Sequence, residues 1–303
     1  MKNNIYTSGR ISFFSLLKWG FYKHFINPKI NNCDKIKIIK QDKLPKENYA
    51  IWLGHATVWT NIDNLNIIVD PVLDNIPFYK RVTELPIDKD KLIPDIILIT
   101  HAHYDHFDMP SIKFFIKKNP NVKIIAPKGF KRYLGKYNQL IELDWWENIK
   151  IKDTTITFVP SLHWSNRLGI DKNKALWGGF IINSKAHNIY YAGDSGYGEH
   201  FAKIGEKFNI DSAFLPIGAY KPEYIMKHDH INPQEALAAC ADLNAKRLIP
   251  VHYGTFRLSD EALHEPLEWL ENILRQQTYL FETTIVDIGE IIYFSNTSTL
   301  KSI

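Results

Sequence analysis

The chain has 303 residues, 45% of them hydrophobic, with two cysteines and no repeat or low-complexity tract. That length supports one large core. So few cysteines exclude a disulfide scaffold and favour a reducing compartment, with a lone Cys33–Cys240 bridge left open. The net charge of +4 is uneven: residues 1–48 carry ten Lys/Arg against Asp34, Asp42 and Glu47, a net +7, and the remainder carries 27 basic and 30 acidic residues, a net −3. A body of net −3 with no basic stripe disfavours nucleic acid as partner.

Residues 1–48 read as a basic, aromatic-rich extension to a domain over residues 49–303. Within it, Ile11, Phe14, Leu17, Phe21, Tyr22 and Phe25 share a broad helical face, interrupted along the chain by Lys18, Lys23 and His24. Charge breaks the apolar run, so it is neither a secretory signal nor a bilayer span. Two readings stand: a helix lying in a membrane interface, or one packed on the protein's own core with Lys18 and Lys23 snorkelling.

From Tyr49 the pattern becomes short β-type runs at 50–53, 56–62 and 65–69, with turns at Gly54 and 61–64. Residues 70–94, with Pro71, Pro77, Pro86 and Pro94, read as a long loop of the kind that is usually functional. Helices are expected over 110–118, 129–136, 198–208, 233–243 and 260–275. Strands are expected over 122–126, 139–143, 149–151, 154–159, 176–182, 188–192, 212–215, 247–251, 284–288 and 291–294. Strand clusters on both sides of the middle, with helices between, imply two packed sheets covered by helices.

The densest chemistry lies in Asp95–Asp108, DIILITHAHYDHFD. Its apolar run delivers His101, His103, Asp105 and His106 within six residues. His101 and His103 alternate by two as the chain leaves a strand, so their side chains can point the same way. Imidazole plus carboxylate suits zinc, with manganese or iron as alternatives, and one ion could not easily use all four donors from so short a loop. A dinuclear site is the economical reading. His163 in VPSLHW, Asp194 in YYAGDS and His252 in IPVHYG also follow strand-like runs, where loops gather at one sheet edge. Each alone is weak; together with the cluster they complete a ligand set.

HxHxDH followed by distant His, Asp and His resembles the metallo-β-lactamase superfamily. The resemblance implies a four-layered αβ/βα sandwich of the α/β class, with two metals at one edge of the sheets. It implies His101, His103 and His163 on one metal, Asp105, His106 and His252 on the other, and Asp194 bridging, with two zinc ions as cofactors. WLGHAT (52–57), ELDWWE (142–147), LWGGF (176–180), AGDSGY (192–197), PIGAY (216–220), HINPQEA (230–236) and VHYGTF (251–256) narrow the likeness to the N-acylphosphatidylethanolamine-hydrolysing phospholipase D family. These blocks cover roughly residues 50–270. Asp229, where the family often has Gln, and Asn232, where it often has Asp, depart from the pattern and bear on head-group and acyl preference.

The likeness implies a phospholipid substrate hydrolysed to N-acylethanolamine and phosphatidic acid by a metal-bridging hydroxide, with Asp105 orienting it and Asp194 bridging. It brings forward His230 for the phosphate or leaving group, against the simpler reading of a helix-start residue. It also gives the +7 extension a use in docking on anionic phospholipid, as a peripheral membrane protein of the cytoplasm. Trp164, Trp177 and Tyr220 stand near ligand segments as core or as walls of an acyl channel. The alternatives are a lactonase or cyclic-nucleotide phosphodiesterase on the same fold, and a lipid-binding protein without catalysis.

Overall fold

The computed structural model describes residues 6–7 and 36–294. The face expected over residues 11–26, and Cys33, lie outside the described residues; Cys240 is a buried thiol.

Two seven-stranded sheets face each other. The first runs β14 (Ile291–Tyr293), β1 (Tyr49–Trp52), β2 (Val58–Ile62), β3 (Leu65–Val69), β4 (Ile96–Leu98), β5 (Lys123–Pro127), β6 (Leu140–Leu143). The second runs β13 (Glu282–Thr283), β12 (Arg247–Val251), β11 (Ser212–Pro216), β10 (Asn188–Tyr191), β9 (Gly178–Asn183), β8 (Thr154–Pro160), β7 (Asn148–Ile151). Each sheet joins an antiparallel half to a parallel half: β3, β4, β5 and β6 are parallel neighbours in one, and β10, β11, β12 and β13 in the other.

The parallel strands are buried on both faces, so they read as unbroken apolar runs. In β4 the two-residue period sends Ile96 and Leu98 into the core between the sheets, and Ile97 and Ile99 into a second core. That second core is closed by α1 (Met109–Lys118), which buries Ile112 and Phe115. Asp108 starts α1 by accepting the Ser111 N–H at 2.9 Å, with Pro110 suited to the first turn. Four short or medium helices follow, α2 (Lys131–Leu134), α3 (His200–Gly205), α4 (Glu223–Met226) and α5 (Pro233–Asp242), and then α6 (Glu265–Gln276). On the second sheet, α5 packs on β11 and β12, and α3 and α6 pack on α5. The layers are therefore helix, sheet, sheet, helix, the sandwich expected from the sequence.

Three expected elements differ. The last helix begins at Glu265 instead of residue 260, because the residues before it are engaged elsewhere. The Glu261 carboxylate accepts the N–H groups of Ala219 at 2.6 Å and Lys221 at 3.0 Å, and the Asp260 N–H reaches Lys221 O at 3.1 Å. The strand expected over 284–288 pairs instead at Glu282–Thr283, and Ile288 bridges to Ile38. The helix expected over 129–136 is the single turn α2.

Residues 70–94 form the expected loop, with one 3₁₀ turn at Lys89–Lys91. Near its start, Ile76 and Tyr79 exchange backbone hydrogen bonds of 3.1 Å in both directions, which puts Pro77 and Phe78 at the tip of a tight hairpin. At the other end of the chain, Tyr6 O accepts the His163 N–H at 3.2 Å, and Thr7 forms a parallel bridge with His163. No helix among the described residues is long and apolar enough to cross a membrane.

Candidate metal centre

Five loops leave the carboxyl ends of β3, β4, β8, β10 and β12 at one edge of the sandwich. They carry Asp70, His101 to His106, His163, Asp194 and His252, where crevices of open α/β sheets place their sites. The seven residues expected from the sequence converge there from four segments.

His101 Nε2 and His163 Nε2 lie 2.9 and 3.3 Å from His103 Nδ1, and the three form one ligand-sized group. His106 Nε2 and His252 Nε2 are 3.3 Å apart. Asp105 Oδ2 stands 3.5 Å from the first and 3.8 Å from the second of these nitrogens. Asp194 lies between the groups: Oδ2 is 3.1 Å from His106 Nε2 and 3.9 Å from both His101 and His163 Nε2, and Oδ1 is 3.0 Å from His252 Nε2. His230 joins this centre, its Nδ1 3.7 Å from Asp194 Oδ2 and buried with no hydrogen-bond partner.

Outer residues fix which nitrogen faces inward. Thr100 Oγ1 donates to Asp70 Oδ2 at 2.6 Å and accepts from His101 Nδ1 at 3.0 Å. His106 Nδ1 donates to Asp70 Oδ2 at 2.7 Å, and His163 Nδ1 to Asp229 O at 3.0 Å. The Nε2 atoms of all three rings are thereby turned to the centre, as in histidines that hold a cation. Facing imidazole nitrogens about 3.3 Å apart suit tetrahedral Zn–N bonds of ~2.0–2.1 Å. The donor set fits metal binding.

Electrostatics agree. Burial opposes ionisation of Asp194 and Asp105, but His106 and its neighbours hold both carboxyls well below the usual range. Burial and mutual repulsion keep His101 and His163 neutral, and burial lowers His103 to about 4. Burial also opposes charge on His106 and His252, yet the carboxylates prevail: His106 is raised well above its ordinary value and His252 is pushed up to about 9. Two buried carboxylates thus demand positive charge, which protons supply until a cation does.

The loops that carry these residues are tied together. Ser195 Oγ accepts the Leu162 N–H at 3.0 Å, and Gly196 N–H donates to Leu162 O at 2.8 Å, which couples the Asp194 loop to the His163 loop. Gly193 precedes Asp194 with φ +64, and a Cβ there would meet the Thr100 Cβ at 2.8 Å. Arg167 Nη1 donates to Phe107 O at 2.6 Å, clamping the far side of the His101–His106 loop.

The two positions that depart from the block pattern have structural employment. Asn232 caps α5 in a reciprocal capping box with Glu235, 3.0 Å in each direction. The Asp229 backbone oxygen accepts the hydrogen bond from His163 Nδ1–H, and its Oδ2 accepts one from Trp164 Nε1 at 3.2 Å. Of the aromatic residues near the ligands, Trp164 borders the cleft above the centre. Trp177 and Tyr220 are buried, the first donating to Ser161 O at 3.1 Å and the second to Glu265 at 2.8 Å.

That cleft has a volume of about 410 Å3. His103, Asp105, His163, Asp194 and His230 form its polar floor, and Ile76, Phe78, Ile225, Met226 and Leu258 form much of its wall. Phe78 is 92% exposed at the hairpin tip, and Tyr104, also exposed, borders the cleft as well.

Sequence reasoning missed Asp70 and His55. Asp70 follows the apolar run of β3 as His101 follows that of β4, and that shared position was the available signal. His55 follows a glycine in a turn, with nothing in its spacing to mark it.

The family model of the beta-lactamase superfamily domain matches residues 65–253. An N-acyl-phosphatidylethanolamine-hydrolyzing phospholipase D of Saccharomyces cerevisiae, named as mitochondrial, is 38% identical over 239 residues, 74% of this chain and 51% of its own length. Phospholipase D 1 of the same description from Caenorhabditis elegans is 34% identical over 267 residues, 80% of this chain and 75% of its own. The chain thus spans about half of the yeast relative and three quarters of the nematode one. The metallo hydrolase Igni18 of Ignicoccus hospitalis shares the fold with a TM-score of 0.64 at 23% identity, covering 82% of this chain and 99% of its own. An isothiocyanate hydrolase from Delia radicum gut bacteria does so at 0.66 and 18% identity, with the same coverage. A superfamily domain that takes in all seven converging residues, joined to relatives this similar over most of the chain, places the protein in the beta-lactamase superfamily, within its N-acyl-phosphatidylethanolamine-hydrolysing phospholipase D family.

Proposed function

We propose that this metal-dependent hydrolase is a dinuclear phosphodiesterase of phospholipase D type. It cleaves N-acylphosphatidylethanolamine-like phospholipids to N-acylethanolamine and phosphatidic acid. One observation carries the reading: an apolar cleft opens directly onto the His/Asp centre, so a lipid's phosphodiester reaches the polar floor while its chains lie along the wall. The names of the yeast and nematode relatives support it.

His101, His103 and His163 would hold one zinc ion, and Asp105, His106 and His252 the other, with Asp194 available to both; manganese or iron would suit the same donors. Such a pair supplies Lewis-acid charge for the phosphate oxygens and lowers the pKa of water to about 7. The chain's residues do the rest. Asp105 orients the attacking water and receives its proton. The oxygen–phosphorus bond forms as the bond to the ethanolamine oxygen breaks. His230, with Nδ1 3.7 Å from Asp194 Oδ2, contacts the phosphate and the departing alkoxide, which takes up the proton that Asp105 received and leaves as the alcohol. Ile225, Met226 and Leu258 take acyl carbons.

The basic, aromatic extension docks on anionic phospholipid, which makes this a peripheral membrane protein of a reducing compartment, the cytoplasm. A truncation through residue 26 would also remove Tyr6, the backbone partner of His163. Charge reversal at Lys18 and Lys23 is the cleaner perturbation. It should weaken binding to anionic vesicles and spare hydrolysis of a soluble phosphodiester; equal losses would refute the docking role.

The decisive experiment incubates the metal-loaded protein with mixed phospholipids and identifies products by mass. N-acylethanolamine with phosphatidic acid is expected. Cleavage at another bond, or none, overturns the assignment.

A further inference from the structure

His55 sits against the metal centre with a backbone held in an uncommon conformation. It has φ +54 directly after Gly54 at φ +98, two left-handed residues in succession between β1 and β2. Histidine tolerates that region better than most residues but still adopts it rarely. Three hydrogen bonds keep it there. Its N–H donates to Thr255 Oγ1 at 2.8 Å, and its carbonyl accepts the His252 N–H at 2.9 Å and Trp52 Nε1 at 2.7 Å. Gly54 leaves no slack, since a Cβ on it would meet Arg81 Nη2 at 2.7 Å and Thr255 Oγ1 at 2.8 Å.

This anchorage aims one ring atom. His55 Nε2 lies 3.0 Å from Asp105 Oδ2, closer than either His106 or His252 Nε2 comes to that oxygen. The ring lies 4.0 Å from the His252 ring, centroid to centroid, and meets the edge of Phe256 at 5.2 Å. Buried at 2% exposure, it has no freedom to swing away. Its backbone also holds the first residue of the loop that follows β12, so one residue fixes two members of the same ligand group.

We propose that His55 is a positioning residue for the second metal: its Nε2–H donates to Asp105 Oδ2 and fixes that carboxylate, and through it the affinity of the site formed with His106 and His252. The inference rests on Asp105 being a ligand and does not depend on which bond the enzyme cleaves. Outer hydrogen-bond partners of ligating groups typically contribute 10–100-fold in metal affinity or activity. A neutral donor at this distance is suited to that role, since it stabilises the carboxylate without competing for the ion.

The test uses the full chain and cobalt(II) titrated against a competing chelator, which reads binding without reference to activity. His55→Ala should weaken one of the two cobalt equivalents about 10–100-fold and leave the other unchanged. His55→Gln, whose amide nitrogen reaches where Nε2 was, should return affinity to within a few-fold of the parent. His55→Asn, whose amide is too short, should not. In an Asp105→Asn background, His55→Ala should cause no further loss, since residues acting through one another are not additive. Both equivalents bound as tightly in His55→Ala as in the parent overturns the proposal, as does a glutamine variant no better than alanine. A changed cobalt coordination spectrum in His55→Gln also overturns it, because His55 would then be a ligand itself. If no phosphodiester is cleaved but the cobalt results hold, the assigned reaction fails and the positioning role stands.

Discussion

Replacing Asp70 by asparagine tests how far the outer hydrogen bonds govern the centre. The Asp70 carboxylate accepts from Thr100 N at 2.8 Å, Thr100 Oγ1 at 2.6 Å and His106 Nδ1 at 2.7 Å, and is buried. Asparagine keeps its shape and one acceptor for the Thr100 N–H. Its NH2 then faces the two other donors, so either Thr100 turns away or His106 moves its proton to Nε2. The second outcome takes from the centre the lone pair that the ion needs. Hydrogen bonds to a charged group contribute about 1.5–3 kcal/mol each. Losing two of three should therefore cost about 3–6 kcal/mol of stability in the metal-free protein. Affinity for one ion should fall about 10–100-fold, which is about 1.4–2.7 kcal/mol. Thermal unfolding of the metal-free protein and chelator-competed metal titration measure the two effects separately. Stability that falls while both ions bind as before would refute the tautomer argument.

Two further outcomes follow from the same geometry. His230→Ala should lower kcat for a soluble phosphodiester about 100-fold with metal content unchanged; lost metal instead would make His230 a ligand. In the metal-free protein His252 is raised from 6.5 to about 9 by Asp194 and Asp105 against the effect of burial. A raised folded pKa contributes stability that is full below pH 6.5 and is lost as pH rises toward 9. Unfolding of chelator-treated protein should therefore shift to lower temperature between pH 6.5 and 9, and metal loading should flatten that dependence. A midpoint that rises over this interval contradicts the assignment.

The convergence of the seven residues was legible because each of their segments ends an apolar run. β4, β8, β10 and β12 are buried, and the residues after them fall at one edge. The outer partners were less legible. Asp70 shares the strand-end pattern, but carboxylates also end strands merely as turn residues. His55 stood in the WLGHAT block with no sign of its role, since its place depends on left-handed backbone and on contacts with Thr255 and His252, about 200 positions away in the chain. The start of α6 was misplaced for a similar reason: Glu261 reads as a helix former, yet its carboxylate is taken by Ala219 and Lys221 across the fold. Local propensity cannot register a partner that tertiary structure supplies.

Tyr6 and Thr7, laid along the His163 segment, also set a rule for handling the protein. Whatever is fused ahead of them leaves the chain beside a histidine of the centre. A polyhistidine tag at that end would add a second cluster of imidazoles to the same molecule, competing for the cations whose binding is to be measured. Metal stoichiometry obtained from an amino-terminally tagged protein would therefore report on the tag as much as on the site, and should be repeated after the tag is removed.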